Sequence, residues 1–94
     1  MLNIYINDNG DVVLSGRFDA SQVEKAEAVF NKIARSASVD FKDLDYISSA
    51  GLGVLLMTQK RLSQSGNSIK LIHMNKMIRD VFHIARFDLI FQIE

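Results

Sequence analysis

The spacing of apolar residues changes after Gly16, and this change constrains the fold more than any other feature of the sequence. Before it, apolar and polar residues alternate over 2–6, which is typical of a strand with one buried face. The Asn9-Gly10 step favours a tight hairpin turn into a second strand, predicted over 12–14. Beyond Gly16, apolar residues recur at helical spacing. The chain is therefore predicted to open with paired strands and then to form helices.

The rest of the chain alternates between predicted helices and predicted strands. Ser21 and Glu24 form a capping-box pattern that predicts the start of the first helix, and Gly66 follows the predicted end of the second. The predicted elements are strands over 2–6, 12–14, 38–41, 69–72 and 89–93, helices over 21–35, 51–65 and 75–85, and a turn over 42–45. Since parallel strands need crossover connections, this order predicts an α/β sandwich with helices over a mixed sheet, in one domain spanning 1–94.

Charge and composition argue against several classes of function. Eleven basic and eleven acidic residues cancel and are scattered, so no nucleic-acid-binding surface is expected. There are no cysteines, and His73 and His83 lack metal-ligand spacing, so neither a disulfide nor a metal or other cofactor is expected. No apolar run approaches the roughly 18 residues of a membrane span, and no targeting segment is recognised. We expect a cytoplasmic protein.

The segment over 43–53 joins a predicted strand to a predicted helix and departs from local preferences. Gly51 and Gly53 fall in the first turns of a leucine-rich helix, where each costs up to about 1 kcal/mol relative to alanine. Such departures often mark functional or close-contact positions. Ser48 or Ser49 is predicted as the N-cap, a position at which a phosphate would find free backbone N–H groups and a favourable helix dipole. On spacing alone, an ordinary serine cap, with glycines that allow close packing, is the simpler explanation, because serine is among the commonest caps.

The run from Asp45 to Gly53 resembles the signature of STAS domains in anti-sigma factor antagonists. The segment 16–19 is similar to the family's Gly-x-Leu-Asp segment, and the element order matches, so the resemblance covers nearly the whole chain. In the family, the phosphorylated serine lies two residues before the motif glycine, which implies Ser49 and not Ser48. Many members have Asp-Ser-Ser-Gly where this chain has Ser-Ser-Ala-Gly at 48–51, and this difference bears on the identity of the kinase more than on the serine.

The resemblance implies a partner switch. A GHKL-type anti-sigma kinase would phosphorylate the antagonist with ATP, and a PP2C-type phosphatase would reverse the modification. Only the unmodified form would capture the kinase and free the sigma factor. The candidate partner-binding residues are Asp19, Ser48, Ser49, Gly51, Gly53, Val54 and Met57.

Two groups among these candidates have a second interpretation. The resemblance implies that Asp19 is an acidic residue near the phosphorylated loop, but with Gln22 three residues later it is equally well explained as a helix-start residue. Gly53, Val54 and Met57 fall outside the predicted leucine arc of the second helix and form a candidate apolar docking edge beside the serines. Coverage by neighbouring elements is the alternative, above all for Val54.

Two other classes of function stay open from the sequence. A STAS chain can also be a docking subunit of a larger assembly, such as a phospholipid-transport or stressosome-like complex, although the short chain without a sensory domain favours the switch. An enzyme is not expected, because neither a Gly-x-x-x-x-Gly-Lys phosphate loop nor a Gly-x-Ser-x-Gly elbow is present.

Overall fold

The protein forms a five-stranded mixed sheet with three α-helices, and the computed structural model describes residues 1–94. The strands are β1 (Leu2–Ile6), β2 (Val12–Phe18), β3 (Ala37–Ile47), β4 (Ile69–Ile72) and β5 (Gln92–Ile93). The helices are α1 (Val23–Phe30), α2 (Ser49–Ser63) and α3 (Lys76–Ile84), with short 3-10 helices at Ala20–Gln22 and Phe87–Leu89. The strand order is β1-β2-β3-β4-β5, with β1 antiparallel to β2 and the other pairs parallel. The predicted α/β order and mixed sheet are confirmed.

All three helix starts lie at one edge of the sheet. Because β2, β3 and β4 are parallel, their carboxyl ends meet there, and each is followed by a side chain that accepts a backbone N–H bond. Asp19 accepts from the N–H of Ser21, Ser48 from Gly51 and Asn75 from Ile78. We call this edge the capping edge. It is where the candidate site residues meet.

The hydrophobic core lies on one face of the sheet, beneath the helices. Buried strand residues alternate with exposed or half-buried ones in β1 and β2, so the other face is left to polar and amphipathic side chains. On that open face, the Arg17 guanidinium lies 4.3 Å from the ring centre of Tyr46. On the covered face, Phe82 of α3 makes edge-on contacts with Phe41 and Phe91. No helix is both long enough and apolar enough to cross a membrane.

The predicted first helix, over 21–35, is wrong at both ends. Ser21 does not form a capping box with Glu24, because both its N–H and its hydroxyl donate to Asp19, and a 3-10 turn precedes α1. The helix ends at Phe30, whose carbonyl accepts from the Ile33 N–H in a tight turn and from the Arg61 guanidinium at 2.9 Å. Arg61 also donates to the Ile33 carbonyl at 2.8 Å, so a side chain of α2 caps the C-terminal end of α1.

The predicted turn over 42–45 is strand, and β3 is more than twice as long as predicted. Its pairing with β2 shifts register twice, and each shift places one extra residue in β3, as in a β-bulge. The buried residues Phe41, Leu44 and Ile47 are consequently spaced by three. A spacing of three does not match the period of two by which strands are recognised, which is why the sequence indicated a turn.

The limits of the other helices and strands differ less from the predicted ones. β2 continues past 14 to Phe18 because its last residues pair with the bulged part of β3. α2 begins at Ser49 instead of Gly51 and ends at Ser63 instead of 65. The last strand is confined to Gln92–Ile93, since Arg86 adopts a left-handed conformation and a 3-10 turn follows it.

Candidate functional site

Ser48, and not Ser49, is the N-cap of α2. Its backbone is extended, and its Oγ accepts a hydrogen bond from the N–H of Gly51 at 3.1 Å. Its own N–H donates to the carbonyl of Phe18 at 2.9 Å, and its side chain is half-buried. This geometry settles which of the two serines is the N-cap. Ser48 is held in place by hydrogen bonds through both its hydroxyl and its own N–H.

Ser49 is the first residue of α2, and its side chain is exposed. Its hydroxyl makes no hydrogen bond within the chain. The N–H groups of Ser49 and Ala50 belong to the first turn, where an α-helix offers no internal acceptor. A phosphoryl group on Ser49 would therefore lie beside unpaired donors and the positive end of the helix dipole.

The two glycines of α2 differ in what the fold requires of them. A Cβ on Gly51 would lie 2.8 Å from Cγ1 of Ile47 and 3.1 Å from the ring of Phe18, so only glycine lets the helix approach the sheet here. A Cβ on Gly53 would meet nothing within 4 Å. Close packing thus explains Gly51, as the simple interpretation of the segment proposed, but it does not explain Gly53.

Asp19 caps the turn before α1, which is the helix-start role considered from the sequence. The pKa of its carboxyl lies below the ordinary value of 3.8, chiefly because the Ser21 hydroxyl donates a hydrogen bond to it. Burial is the second-largest influence and raises the pKa, while the Ser21 N–H and the charges of the N-terminus and Arg17 lower it further. Asp19 is therefore ionised at neutral pH. It directly follows Phe18, whose carbonyl accepts from the Ser48 N–H, so the backbone of Asp19 adjoins the start of α2.

One exposed face of α2 extends away from Ser49. Ser49, Gly53 and Met57 are spaced by four and share this face, and the Met57 side chain is 65% exposed. Val54 is only 6% exposed and packs in the core, so its assignment to the docking edge is wrong and its alternative, coverage by neighbouring elements, is correct. The helix turns Val54 toward α1, where Phe30 is also buried.

Arg17 and Tyr46 border the site on the open face of the sheet, and sequence reasoning did not single them out. They pair across β2 and β3 just before Phe18 and Ile47, the last residues of the two strands. Their pairing depends on two register shifts, so no simple count along the sequence would have found it. No group of three His, Asp or Glu side chains lies close enough together to hold a metal ion.

Comparison with known proteins identifies the class to which this fold and capping edge belong. Residues 6–92 match the family model described as Mlab, STAS domain. The chain belongs to the STAS domain family. Over 74 residues it is 39% identical to the protein named as anti-sigma factor antagonist BtrV of Bordetella bronchiseptica, a match that covers 79% of this chain and 58% of the relative. The chain thus spans less than two thirds of that relative's length.

Solved structures have the same fold. An anti-sigma factor antagonist from Mycobacterium paratuberculosis superimposes with a TM-score of 0.82 at 17% identity, covering 99% of this chain and 83% of that one. The Bacillus cell fate determinant SpoIIAA in its phosphorylated form gives a TM-score of 0.69 at 19% identity, covering 100% of this chain and 91% of that one. At these identities the likeness concerns the fold.

Proposed function

We propose that the protein is an anti-sigma factor antagonist whose capture of an anti-sigma kinase is controlled by phosphorylation of Ser49. The observation that carries this proposal is that two adjacent serines have different roles. Ser48 caps α2, while the Ser49 hydroxyl is exposed and makes no hydrogen bond within the chain. Modification of Ser49 would leave the cap intact. The names of the relatives, anti-sigma factor antagonists BtrV and SpoIIAA, support the same function.

The chemistry belongs to the partner enzymes in this proposal. A GHKL-type kinase transfers the γ-phosphoryl group of ATP to Oγ of Ser49, the hydroxyl proton leaves, and ADP is released. A PP2C-type phosphatase hydrolyses the ester and restores the hydroxyl. The protein itself acts by binding and not as an enzyme. We place the cycle in the cytoplasm, where ATP is supplied.

Charge is the proposed switch. Phosphorylation adds about −1.5 to −2 charges at neutral pH. The free N–H groups of the first turn of α2 stabilise that charge, so the fold tolerates it. A kinase surface docked over Ser49 would have to bury the same charge beside the ionised Asp19, and interface cores are depleted of charge. The kinase is therefore released while the antagonist stays folded.

The decisive experiment incubates the protein with ATP and the GHKL-type kinases of the same genome and locates phosphate by mass spectrometry. Ser49 should be the main acceptor, and Ser49→Ala should abolish the modification. In calorimetry, unmodified protein and Ser49→Ala should bind the modifying kinase, whereas phosphorylated protein and Ser49→Asp should bind it much more weakly. Equal affinities for all four forms would reject a charge switch, and phosphate on Ser48 alone would move the site.

A second function is favoured by one observation, the description of the matching family model as Mlab, STAS domain. In that alternative the chain is a constitutive docking subunit of a larger assembly, such as a phospholipid-transport complex. Affinity purification of the chain from its host distinguishes the two: a co-purified kinase supports the switch, and co-purified transporter subunits support the alternative. Ser49→Asp should disrupt the first association.

A further inference from the structure

The strand β1 lies at an edge of the sheet, where one side of its backbone has no neighbouring strand. It pairs only with β2, and across this antiparallel pair the Arg17 N–H donates to the Met1 carbonyl at 2.9 Å. Because antiparallel pairing alternates along a strand, the N–H and C=O groups of Leu2, Ile4 and Ile6 point away from β2. Such a row of backbone groups is a template for a strand of another molecule.

Both outward groups of Leu2 are occupied by side chains from the segment that begins α1. The Leu2 N–H donates to Oε1 of Gln22 at 3.1 Å, and the Leu2 carbonyl accepts from Nζ of Lys25. The Gln22 amide is itself held in place, because its Nε2 donates to the Ser21 hydroxyl at 3.2 Å. The Leu2 side chain is fully buried, so the strand cannot move away from these groups without opening the core. Gln22 and Lys25 therefore cover the first part of the free edge.

The two edges of the sheet differ in how readily they would pair with another molecule. β5 spans two residues, Gln92–Ile93, and very short edge strands are poor templates. β1 spans five residues, and its sequence, LNIYI, has no charge and no proline. Uncharged segments rich in β-branched and aromatic residues are those that pair between molecules. The free edge of β1 is thus the edge at which self-association is expected.

We infer that Gln22 and Lys25 prevent two copies of this chain from pairing along β1. The longest two-fold pairing of this strand is centred on Ile4 and places Leu2 of each copy opposite Ile6 of the other. It requires the outward groups of Leu2 in both copies, and those groups are already bonded within the chain. A second copy would have to displace an amide and an ammonium group before it gained a hydrogen bond there. This role is independent of the modification proposed for Ser49.

The test removes the two side chains and measures self-association by analytical ultracentrifugation. The double variant Gln22→Ala/Lys25→Ala should self-associate at least about tenfold more tightly than the wild type. Lys25→Arg should behave as the wild type does, since a guanidinium also donates to a carbonyl. Lys32→Ala is the matched control, because it removes the same charge from an exposed position just beyond α1 and should leave association unchanged.

Amide hydrogen exchange gives a second measurement, which the wild type alone can supply. The Leu2 N–H, bonded to Gln22, should have a protection factor at least about tenfold above that of Ile4, whose N–H points away from β2. In the associated double variant, the Ile4 N–H should become protected as well.

Three results would overturn the inference. One is equal self-association of the wild type and the folded double variant. Another is a Leu2 amide in the wild type that exchanges as freely as that of Ile4, and this result does not depend on whether the variants fold. The third is association of Lys32→Ala as tight as that of the double variant, because loss of charge would then be the cause.

Discussion

The backbone N–H of Ser48 donates to the carbonyl of Phe18 across 2.9 Å, and this bond joins the start of α2 to the end of β2. Asp19 follows Phe18 directly, so the caps of two helix starts are held side by side at the capping edge. Ser48 is fixed by this bond and by the one it accepts from Gly51. Ser48 therefore stabilises the fold, and the neighbouring Ser49 is the residue proposed for regulation.

The first prediction follows from that division. Ser48→Ala removes the α2 cap and should lower the free energy of unfolding by about 0.5–2 kcal/mol. Ser49→Ala removes an exposed hydroxyl without a partner and should change it by less than about 0.5 kcal/mol. Urea denaturation of both variants measures the difference. Equal losses would mean that the two serines share the cap.

The second prediction concerns Gly51. Gly51→Ala forces a Cβ to within 2.8 Å of the Ile47 side chain, whose branched β-carbon cannot move aside freely. We expect the free energy of unfolding to fall by about 1–3 kcal/mol, as for other overpacked core positions. Gly53→Ala is the matched control, because it makes the same chemical change two residues later in open space. A loss of stability in the control and none at Gly51 would contradict the packing described above.

A third prediction uses the lowered pKa of Asp19. A carboxyl whose pKa is lower in the folded than in the unfolded protein stabilises the fold above its unfolded pKa, and that contribution disappears as pH falls through the folded pKa. The wild type should therefore lose stability below about pH 4. Asp19→Asn should lose less free energy of unfolding than the wild type between neutral and acid pH, because asparagine carries no charge to be neutralised. Urea denaturation at a series of pH values between neutral and acid measures it, and identical pH profiles for the two proteins would refute the assignment.

The fourth prediction concerns His83, whose Nδ1 lies 2.8 Å from a carboxylate oxygen of Asp88. This hydrogen bond is the main cause of a raised pKa of His83, and the charges of Asp88 and Asp80 add to it. A raised pKa stabilises the fold below the unfolded value of about 6.5, and the contribution is lost as pH rises through the folded value. Asp88→Asn should return the pKa of His83 toward 6.5 in an NMR titration. Asp80→Asn should have a smaller effect.

Local patterns were sufficient to predict several elements. The hairpin depends on alternation and an Asn-Gly turn, and α3 depends on an Asn75 cap followed by helical spacing, so neighbouring residues carry the information. The position of the candidate site was also predictable, because the run from Asp45 to Gly53 is contiguous. Prediction failed where one element acts on another. Arg61 of α2 caps the carbonyls at the end of α1, and pairing with β2 makes a predicted turn part of a bulged strand.

The sequence by itself determined the class of fold and placed the candidate site around two serines and two glycines at the start of the second helix, because periodicity, turns and a contiguous motif are local properties. Only the tertiary structure decided which member of each pair has which role. Ser48 caps the helix because the end of β2 orients it, and Gly51 is needed because Phe18 and Ile47 pack against it. Ser49 and Gly53 face outward and make no such contacts. Which residues of α2 face outward is decided by how the helix packs on strands that are distant in the sequence.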